Sequence, residues 1–305
     1  MQPMICKVVT VSCLCILVAG VAVGQSPVYL AYIEPDEKSE SRSPNVTQSA
    51  CIFMGSYESG RFVKAPEMAN PHSGLEKAMN RIIRAFPAKQ QLSGVDRQGH
   101  KLRANVESTN PDSIHELGIV TLEARIQGDT MLSGGVLLST RPLTIRILQS
   151  EPDRLAPAVD TLLRKRANQL WLKHLPERSV DERPSRYILK SPIVERIESA
   201  PGLLTITYPM DIEEDNLNGD GQIVHDDRGS TFFIYSEADR KVIRGEFGHP
   251  EWSPSSTVWT IKPEIFFRIG TGSDVFFVGA SQGGWESIAK GIFDLRTGRE
   301  VLPCY

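Results

Sequence analysis

The sequence predicts an exported α+β protein, in which an N-terminal domain of strands and two helices precedes an antiparallel β domain arranged as a meander or sandwich. Three observations lead to this prediction. Both segments with a helical spacing of apolar residues lie before residue 175, short apolar or alternating runs recur after residue 187, and the segment between them is charged and holds two prolines. We therefore expect a signal peptide at 1–24, an α+β domain at 26–175, a linker at 176–186 and an antiparallel β domain at 187–305.

The first 24 residues have the pattern of a secretory signal peptide. Lys7 supplies a positive charge, Val8–Val23 is largely apolar, and Ala22-Val23-Gly24 places small residues where a signal peptidase cuts. An uncleaved membrane anchor is the alternative, but a span needs about 20 apolar residues and this run is shorter. We expect a secreted or periplasmic protein that keeps no stable membrane span after cleavage.

The N-terminal domain is predicted to consist mainly of short strands. Apolar or alternating runs predict these strands at Val28–Ile33, Cys51–Gly55, Arg61–Lys64, Gln91–Val95, Lys101–Val106, Gly118–Ile126, Gly135–Ser139 and Leu143–Leu148. The stretch 34–49 holds almost no apolar residues, so we expect a loop there. It contains Asn45-Val46-Thr47, which has the form of a glycosylation acceptor.

Two helices are predicted in the same domain. The first runs from Gly74 to Ala85, begins with a capping box formed by Ser73 and Glu76, and ends before Pro87. The second runs from Ala156 to His174. Apolar residues recur at helical spacing in each, as Leu75, Met79, Ile82, Ile83 and Phe86 in the first and as Leu155, Val159, Leu162, Leu163, Leu170 and Trp171 in the second.

The C-terminal domain shows strand patterns only. The predicted strands are Ile193–Ile197, Leu203–Tyr208, Thr231–Tyr235, Val242–Phe247, Val258–Ile261, Glu264–Ile269, Val275–Val278 and Ser287–Asp294. Turn signals such as Ala238-Asp239 separate these runs, which favours antiparallel neighbours.

The cysteines predict one disulfide. Cys6, Cys13 and Cys15 fall in the signal peptide, so the exported chain keeps only Cys51 and Cys304. A bond between them would close a very long loop, which stabilises a fold by about 4–5 kcal/mol in the chain-entropy account. Two unpaired thiols are the alternative.

The segment Asn216–Asp227 carries the most specific pattern in the chain. Its oxygen-bearing residues alternate, a glycine stands at the sixth position and an acid at the twelfth, as in the calcium loop of an EF-hand, which this spacing resembles. The candidate calcium ligands are Asn216, Asn218, Asp220, Gln222 and Asp227.

This loop also departs from a strong calcium site. Val224 stands at the ninth position, where it offers no side-chain oxygen, and only Asp220 and Asp227 among the candidate ligands carry charge. We therefore expect weak binding, at the millimolar end of the range. The pattern of the flanking residues predicts strands, so an ion would lie in a loop between two strands. An Asn-, Gly- and Asp-rich turn without an ion is the alternative.

A second candidate site is Gly279-Ala-Ser281-Gln-Gly283, whose form is similar to the nucleophile elbow of α/β-hydrolases. That fold places an acid and then a histidine after the serine. Ser281 is followed by one aspartate, Asp294, and by no histidine. A glycine-rich turn between two strands explains the motif better.

Charge and composition favour a binding function. The formal net charge is −3 and the pI about 6.1, which gives no electrostatic case for nucleic acid. We expect a non-enzymatic binding or interaction protein whose partner is an unknown protein or extracellular ligand, with Ca2+ as a structural cofactor of the β domain. A secreted hydrolase that uses Ser281 is the alternative.

Overall fold

The fold was analysed in a computed structural model that describes residues 26–34, 47–69, 71–111, 120–127, 135–174, 184–214, 226–248, 263–281 and 289–304. These residues form mostly antiparallel strands, together with two α-helices, so the predicted α+β class is confirmed. The predicted signal peptide, the glycosylation acceptor Asn45 and the predicted strand Val258–Ile261 lie outside the described residues.

The described strands belong to three sheets. In chain order they are β1 (Val28–Ile33), β2 (Thr47–Glu58), β3 (Arg61–Lys64), β4 (Gln91–Asp96), β5 (Lys101–Pro111), β6 (Val120–Gln127), β7 (Val136–Ser139), β8 (Ile145–Leu148), β9 (Ser150–Pro152), β10 (Pro184–Leu189), β11 (Ile193–Ile197), β12 (Leu203–Glu214), β13 (Asp226–Ser236), β14 (Lys241–Gly248), β15 (Ile265–Ile269), β16 (Phe276–Ser281), β17 (Ala289–Asp294) and β18 (Glu300–Pro303). The helices are α1 (Pro71–Ile83) and α2 (Pro157–His174), and a short 3-10 helix spans Pro66–Ala69.

The first sheet closes on itself. Its strands follow the order β1-β7-β4-β5-β6-β2, and β1 also pairs with β2, so the six strands form a ring to which β3 is added beside β2. Alternate residues of each strand point into the ring and make one buried cluster, because side chains alternate between the faces of a strand. Ile82 and Phe86, at and just after the end of α1, join this cluster. We call this layer the closed sheet.

The five-stranded sheet, with the order β18-β17-β16-β15-β8, is buried on both faces. Phe267 and Phe276 belong to a cluster shared with Leu30 and Tyr32 on the outside of the closed sheet. Phe266 and Phe277 belong to a different cluster, shared with the third sheet. This double burial explains the uninterrupted apolar runs in β15 and β16, since a strand with one solvated face would alternate.

The six-stranded sheet follows the order β14-β13-β12-β11-β9, with β10 paired to β12. One face packs on the five-stranded sheet, where the rings of Phe232 and Phe277 lie 6.1 Å apart. Helix α2 covers the other face, and its Leu163 packs in a cluster with Tyr208. The Tyr208 hydroxyl donates a hydrogen bond of 2.7 Å to Asp160 of the helix. The order of layers is therefore closed sheet, five-stranded sheet, six-stranded sheet and α2, with α1 packed against the interior cluster of the closed sheet.

Strand pairing crosses the predicted domain boundary. Strand β8 pairs with β15, and β9 pairs with β11, although β8 and β9 precede the boundary and their partners follow it. Helix α2 likewise packs on strands of the C-terminal half. The division into domains at 26–175 and 187–305 stays a prediction, but its two parts share sheets.

Three predicted local features differ from the structure. Helix α1 begins at Pro71, three residues before the predicted start at Gly74, so Ser73 lies within its first turn and not directly before the helix. Proline fits the first helical position because its fixed φ suits a helix and its missing N–H would have no partner there. Residues 184–186, predicted to end the linker, begin β10. The short strands β9 and β18 were not predicted.

The predicted cysteine pair comes together. Cys51 in β2 and Cys304 at the end of β18 lie at disulfide-bonding distance, with 6.1 Å between their Cα atoms. Phe53 forms a β-bridge with Cys304 beside this bond. The pair therefore joins the closed sheet to the edge of the five-stranded sheet across 253 residues of chain.

Replacement of both cysteines tests the contribution of this crosslink. We expect Cys51→Ser with Cys304→Ser to lower the free energy of unfolding by about 2–5 kcal/mol, because the unfolded chain gains entropy when a long loop is opened. Urea denaturation of the double variant and the oxidised wild-type protein measures the difference. Equal midpoints and slopes would contradict the expectation.

Candidate functional site

The predicted calcium loop is the connection of a long β-hairpin. Strands β12 and β13 pair without interruption from Leu203 opposite Ser236 to Glu213 opposite Asp226. Asn216, Asn218, Asp220 and Gln222 lie outside the described residues. Asp227 is described as part of β13, where it pairs with Ile212. The prediction that strands flank this loop is confirmed, whereas the binding of an ion stays a prediction.

The position of Asp227 distinguishes this loop from an EF-hand. The twelfth residue of an EF-hand loop opens onto a helix, but Asp227 lies inside an antiparallel ladder, one residue beyond the pair that closes the hairpin. The backbone of Asp227 is therefore fixed by its pairing with β12. Within the described part of the chain, no three or more His, Cys, Asp or Glu side chains are grouped to hold a metal ion.

Strand β10 pairs with residues 210–214 of β12, the part of the hairpin that lies next to the loop. Residues Leu189 and Ile188 pair with Met210 and Asp211, and Lys190 forms an ion pair of 2.8 Å with Asp211. This ion pair is largely exposed and contributes little to stability. The outer end of the hairpin is thus a three-stranded arm, made by β10 and the far halves of β12 and β13.

Ser281 does not lie in a nucleophile elbow. It is the last residue of β16 and pairs with Ala289 of the antiparallel strand β17, whereas an elbow joins a strand to a helix. Asp294, the one aspartate that follows Ser281 in the sequence, accepts hydrogen bonds from the backbone N–H (2.7 Å) and the hydroxyl (2.8 Å) of Thr297. Asp294 therefore stabilises the turn between β17 and β18, and the hairpin interpretation of the serine motif fits the structure.

A buried polar cluster that no sequence motif indicates lies between the closed sheet and the five-stranded sheet. The hydroxyl of Tyr32 in β1 donates a hydrogen bond of 2.7 Å to Glu264, which precedes β15. The other oxygen of Glu264 accepts a hydrogen bond from the ammonium group of Lys290 in β17. That ammonium group also lies 3.7 Å from Glu34. Gly135 is required here because a Cβ atom at this position would overlap the Tyr32 hydroxyl.

The chemistry of this cluster is that of a buried ion pair. Tyr32 is fully buried and Lys290 is 7% exposed. Burial raises the pKa of Tyr32 well above its usual value, and the charge and hydrogen bond of Glu264 raise it further. Tyr32 therefore stays neutral and acts as a donor. Since Lys290 is occupied by carboxylates, the cluster offers neither a free base nor a free nucleophile.

A cavity beside Glu264 is too small for an organic substrate. It measures about 30 Å³ and is lined by Arg97, Ser150, Glu195 and Glu264 among others. Its wall is already hydrogen-bonded, since the Ser150 hydroxyl donates to Glu195 at 2.7 Å. A volume of this size holds one or a few water molecules.

A second charged cluster joins the six-stranded and five-stranded sheets. The guanidinium carbon of Arg244 in β14 lies 4.0 Å from the ring centre of Phe293 in β17. Arg244 donates hydrogen bonds to the Gly298 carbonyl (2.6 Å) and to the carboxylate of Glu246. Burial raises the pKa of Glu246, the Arg244 guanidinium offsets part of that rise, and the Glu300 carboxylate adds to it. Arg244 is therefore the cationic partner of Glu246, and Glu300 acts on Glu246 as a like charge.

Comparisons with protein-family models, with curated proteins and with solved structures found no match for this chain. Neither helix within the described residues combines the length and the hydrophobicity that crossing a membrane would require.

Removal of Lys290 tests the buried ion pair. We expect Lys290→Ala to lower the free energy of unfolding by about 3–5 kcal/mol, because it leaves the largely buried carboxylate of Glu264 without its cationic partner. Urea denaturation measures the loss. The matched control is Lys241→Ala, whose ammonium group lies 3.8 Å from Asp239 and is mostly exposed. We expect the control to cost less than about 1 kcal/mol. Equal losses would show that Lys290 contributes no more than a surface lysine.

The raised pKa of Glu246 predicts a pH-dependent difference between the wild-type protein and Glu246→Gln. In the folded protein Glu246 holds its proton to a higher pH than in the unfolded chain. The resulting stabilisation is present below the usual glutamate pKa and is lost as pH rises through the folded value. Relative to wild type, the variant should therefore gain stability as pH rises above the usual glutamate pKa, as measured by thermal unfolding. The exposed Glu151→Gln serves as control. Parallel pH profiles for wild type and Glu246→Gln would contradict the assignment.

Proposed function

We propose that this protein is an exported, non-enzymatic binding protein and that its loop 216–227 binds calcium weakly as a structural ion. The β12–β13 hairpin supports this proposal. Its ladder extends over eleven residue pairs and includes Asp226 and Asp227, the last two residues of the loop segment. The two ends of the loop are therefore held at a fixed separation, as a loop that must fold around an ion requires.

The charge pattern of the hairpin end favours a cation. The closing pair of the ladder consists of two acidic residues, Glu213 and Asp226, and Asp227 follows directly. Acidic residues opposite each other in a ladder are unfavourable unless a cation or solvent neutralises them. Oxygen-rich residues between these acids supply the ligand type that calcium prefers. With two charged candidate ligands, we expect dissociation constants of about 10⁻⁴–10⁻³ M, the range of extracellular modules.

The proposed role of the ion is to stiffen the outer end of the arm that β10, β12 and β13 form. Such an arm presents a strand edge, that of β10, whose only described strand partner is β12. An extended segment of a partner protein could add to an open edge of this kind through main-chain hydrogen bonds. The disulfide-bonded cysteines are compatible with an extracellular or periplasmic location.

Calcium titration tests the ion site. We expect calcium at millimolar concentration to raise the melting temperature of the wild-type protein, because a ligand that binds only the folded state stabilises it. Asp220→Ala removes a charged ligand and should abolish the increase. The matched control Glu198→Gln, an exposed acid in the β11–β12 turn, should keep it. No increase for the wild-type protein, or the same increase for Asp220→Ala, would rule out calcium binding by this loop.

A further inference from the structure

Two arginines stand directly opposite each other in the five-stranded sheet. Arg146 in β8 pairs with Arg268 in β15, two residues along from the pair formed by Leu148 and Phe266. Leu148 and Phe266 belong to the core between the five-stranded and six-stranded sheets. Because residues two apart share a face of a strand, both arginines lie on that face, at the margin of the same core.

Arg268 is held in place but keeps an unused donor. One terminal nitrogen of its guanidinium donates a hydrogen bond to the carbonyl of Ser199, in the turn between β11 and β12. Its Nε atom is buried and has no hydrogen-bond partner. Arg146 is exposed.

Within the described residues, no carboxylate forms an ion pair with either arginine. This includes Glu198, the acidic neighbour of Ser199, although Glu198 is exposed in the same turn. The two guanidinium groups are thus not neutralised by the described acids around them.

This arrangement is unfavourable without a ligand. Like charges directly opposite each other destabilise an antiparallel pair, and a buried N–H group without an acceptor loses the free energy of its hydration. An oxyanion bound by both guanidinium groups would offset the repulsion between them, and it would also supply an acceptor to Arg268 Nε once it reaches that buried atom. Guanidinium groups suit this role because their planar set of donors matches the oxygens of phosphate, sulfate or carboxylate groups.

We propose that Arg146 and Arg268 form a binding site for a divalent tetrahedral oxyanion, namely a phosphate or sulfate group. A divalent anion matches the two positive charges, and its oxygens can accept hydrogen bonds from both guanidinium groups. Arg268 is already oriented by Ser199, so little side-chain entropy is lost when it binds. The exposed guanidinium group of Arg146 contacts the anion from the solvent side. The same chemistry would recognise a free ion or a phosphate or sulfate ester on a larger molecule.

The test follows the arginine Nε–H resonances during titration of the whole protein with sodium sulfate, sodium phosphate and methyl phosphate, with sodium chloride at matched ionic strength as the reference. We expect saturable binding of sulfate or phosphate and a downfield shift of the Arg268 Nε–H signal as it gains an acceptor. Arg146→Gln should weaken binding by about tenfold or more, because it removes a charge-assisted contact. Arg146→Lys keeps the charge but loses the planar donor pair, so its affinity should lie between that of the wild-type protein and that of Arg146→Gln.

The matched control is Arg141→Gln, an exposed arginine just before β8. We expect it to bind like the wild-type protein. Saturable binding of methyl phosphate identifies an ester as an acceptable ligand, and binding of the inorganic ions alone identifies a site for free anions. Three results would overturn the proposal: no saturation beyond the effect of chloride, equal affinity in Arg146→Gln, or equal weakening in Arg141→Gln. Circular dichroism of each variant excludes loss of the fold as the cause.

Discussion

The burial of both faces of the five-stranded sheet is the constraint on which the other layers depend. Its phenylalanines are divided between two clusters, with Phe267 and Phe276 towards the closed sheet and Phe266 and Phe277 towards the six-stranded sheet. Neither face could be left in water without exposing a large apolar area, at about 25 cal/mol for each Å². The closed sheet and the six-stranded sheet therefore have to pack on it from opposite sides. This requirement also explains why strands from both halves of the chain enter it.

A sheet covered on both faces has few places for charged groups, and two of the cations at its faces have partners within the chain. Lys290 projects from β17, where Glu264 and Tyr32 meet it at the boundary with the closed sheet. Arg244 reaches from the six-stranded sheet over Phe293 to the carbonyl of Gly298. Such pairs contribute little net stability compared with apolar contacts of the same size, but an unpaired partner is costly. They therefore restrict how the layers can be aligned, because any shift would leave a buried charge alone.

The sequence predicts the elements whose signal is local and misses those that depend on distant partners. The bounds of β1, β3 and β11 follow from apolar periodicity, and α2 starts within one residue of its predicted start. The closure of the first sheet was not predicted, because the pairs β1–β7 and β2–β6 join segments far apart in the chain. The first three residues of β10, 184–186, were predicted to end the linker because they are polar and begin with a proline. Only the pairing of β10 with the far half of β12 makes it a strand.

The same limit applies to the candidate sites. The motif of residues 216–227 is local, so its place between two strands could be predicted. The glycines around Ser281 likewise favour a turn between strands, and the pairing of Ser281 with Ala289 supports that prediction. Lys290 and Arg268 look alike in the sequence, as single cations within apolar strands. In the fold, Lys290 has a buried carboxylate as partner, and Arg268 has only a backbone carbonyl, a second arginine and an unused donor. A cation whose partner belongs to the chain serves the fold. A fixed cation such as Arg268, which has no acidic partner among its described neighbours, favours the binding of an anion from solution. We therefore interpret Lys290 as structural and propose a binding role for Arg268.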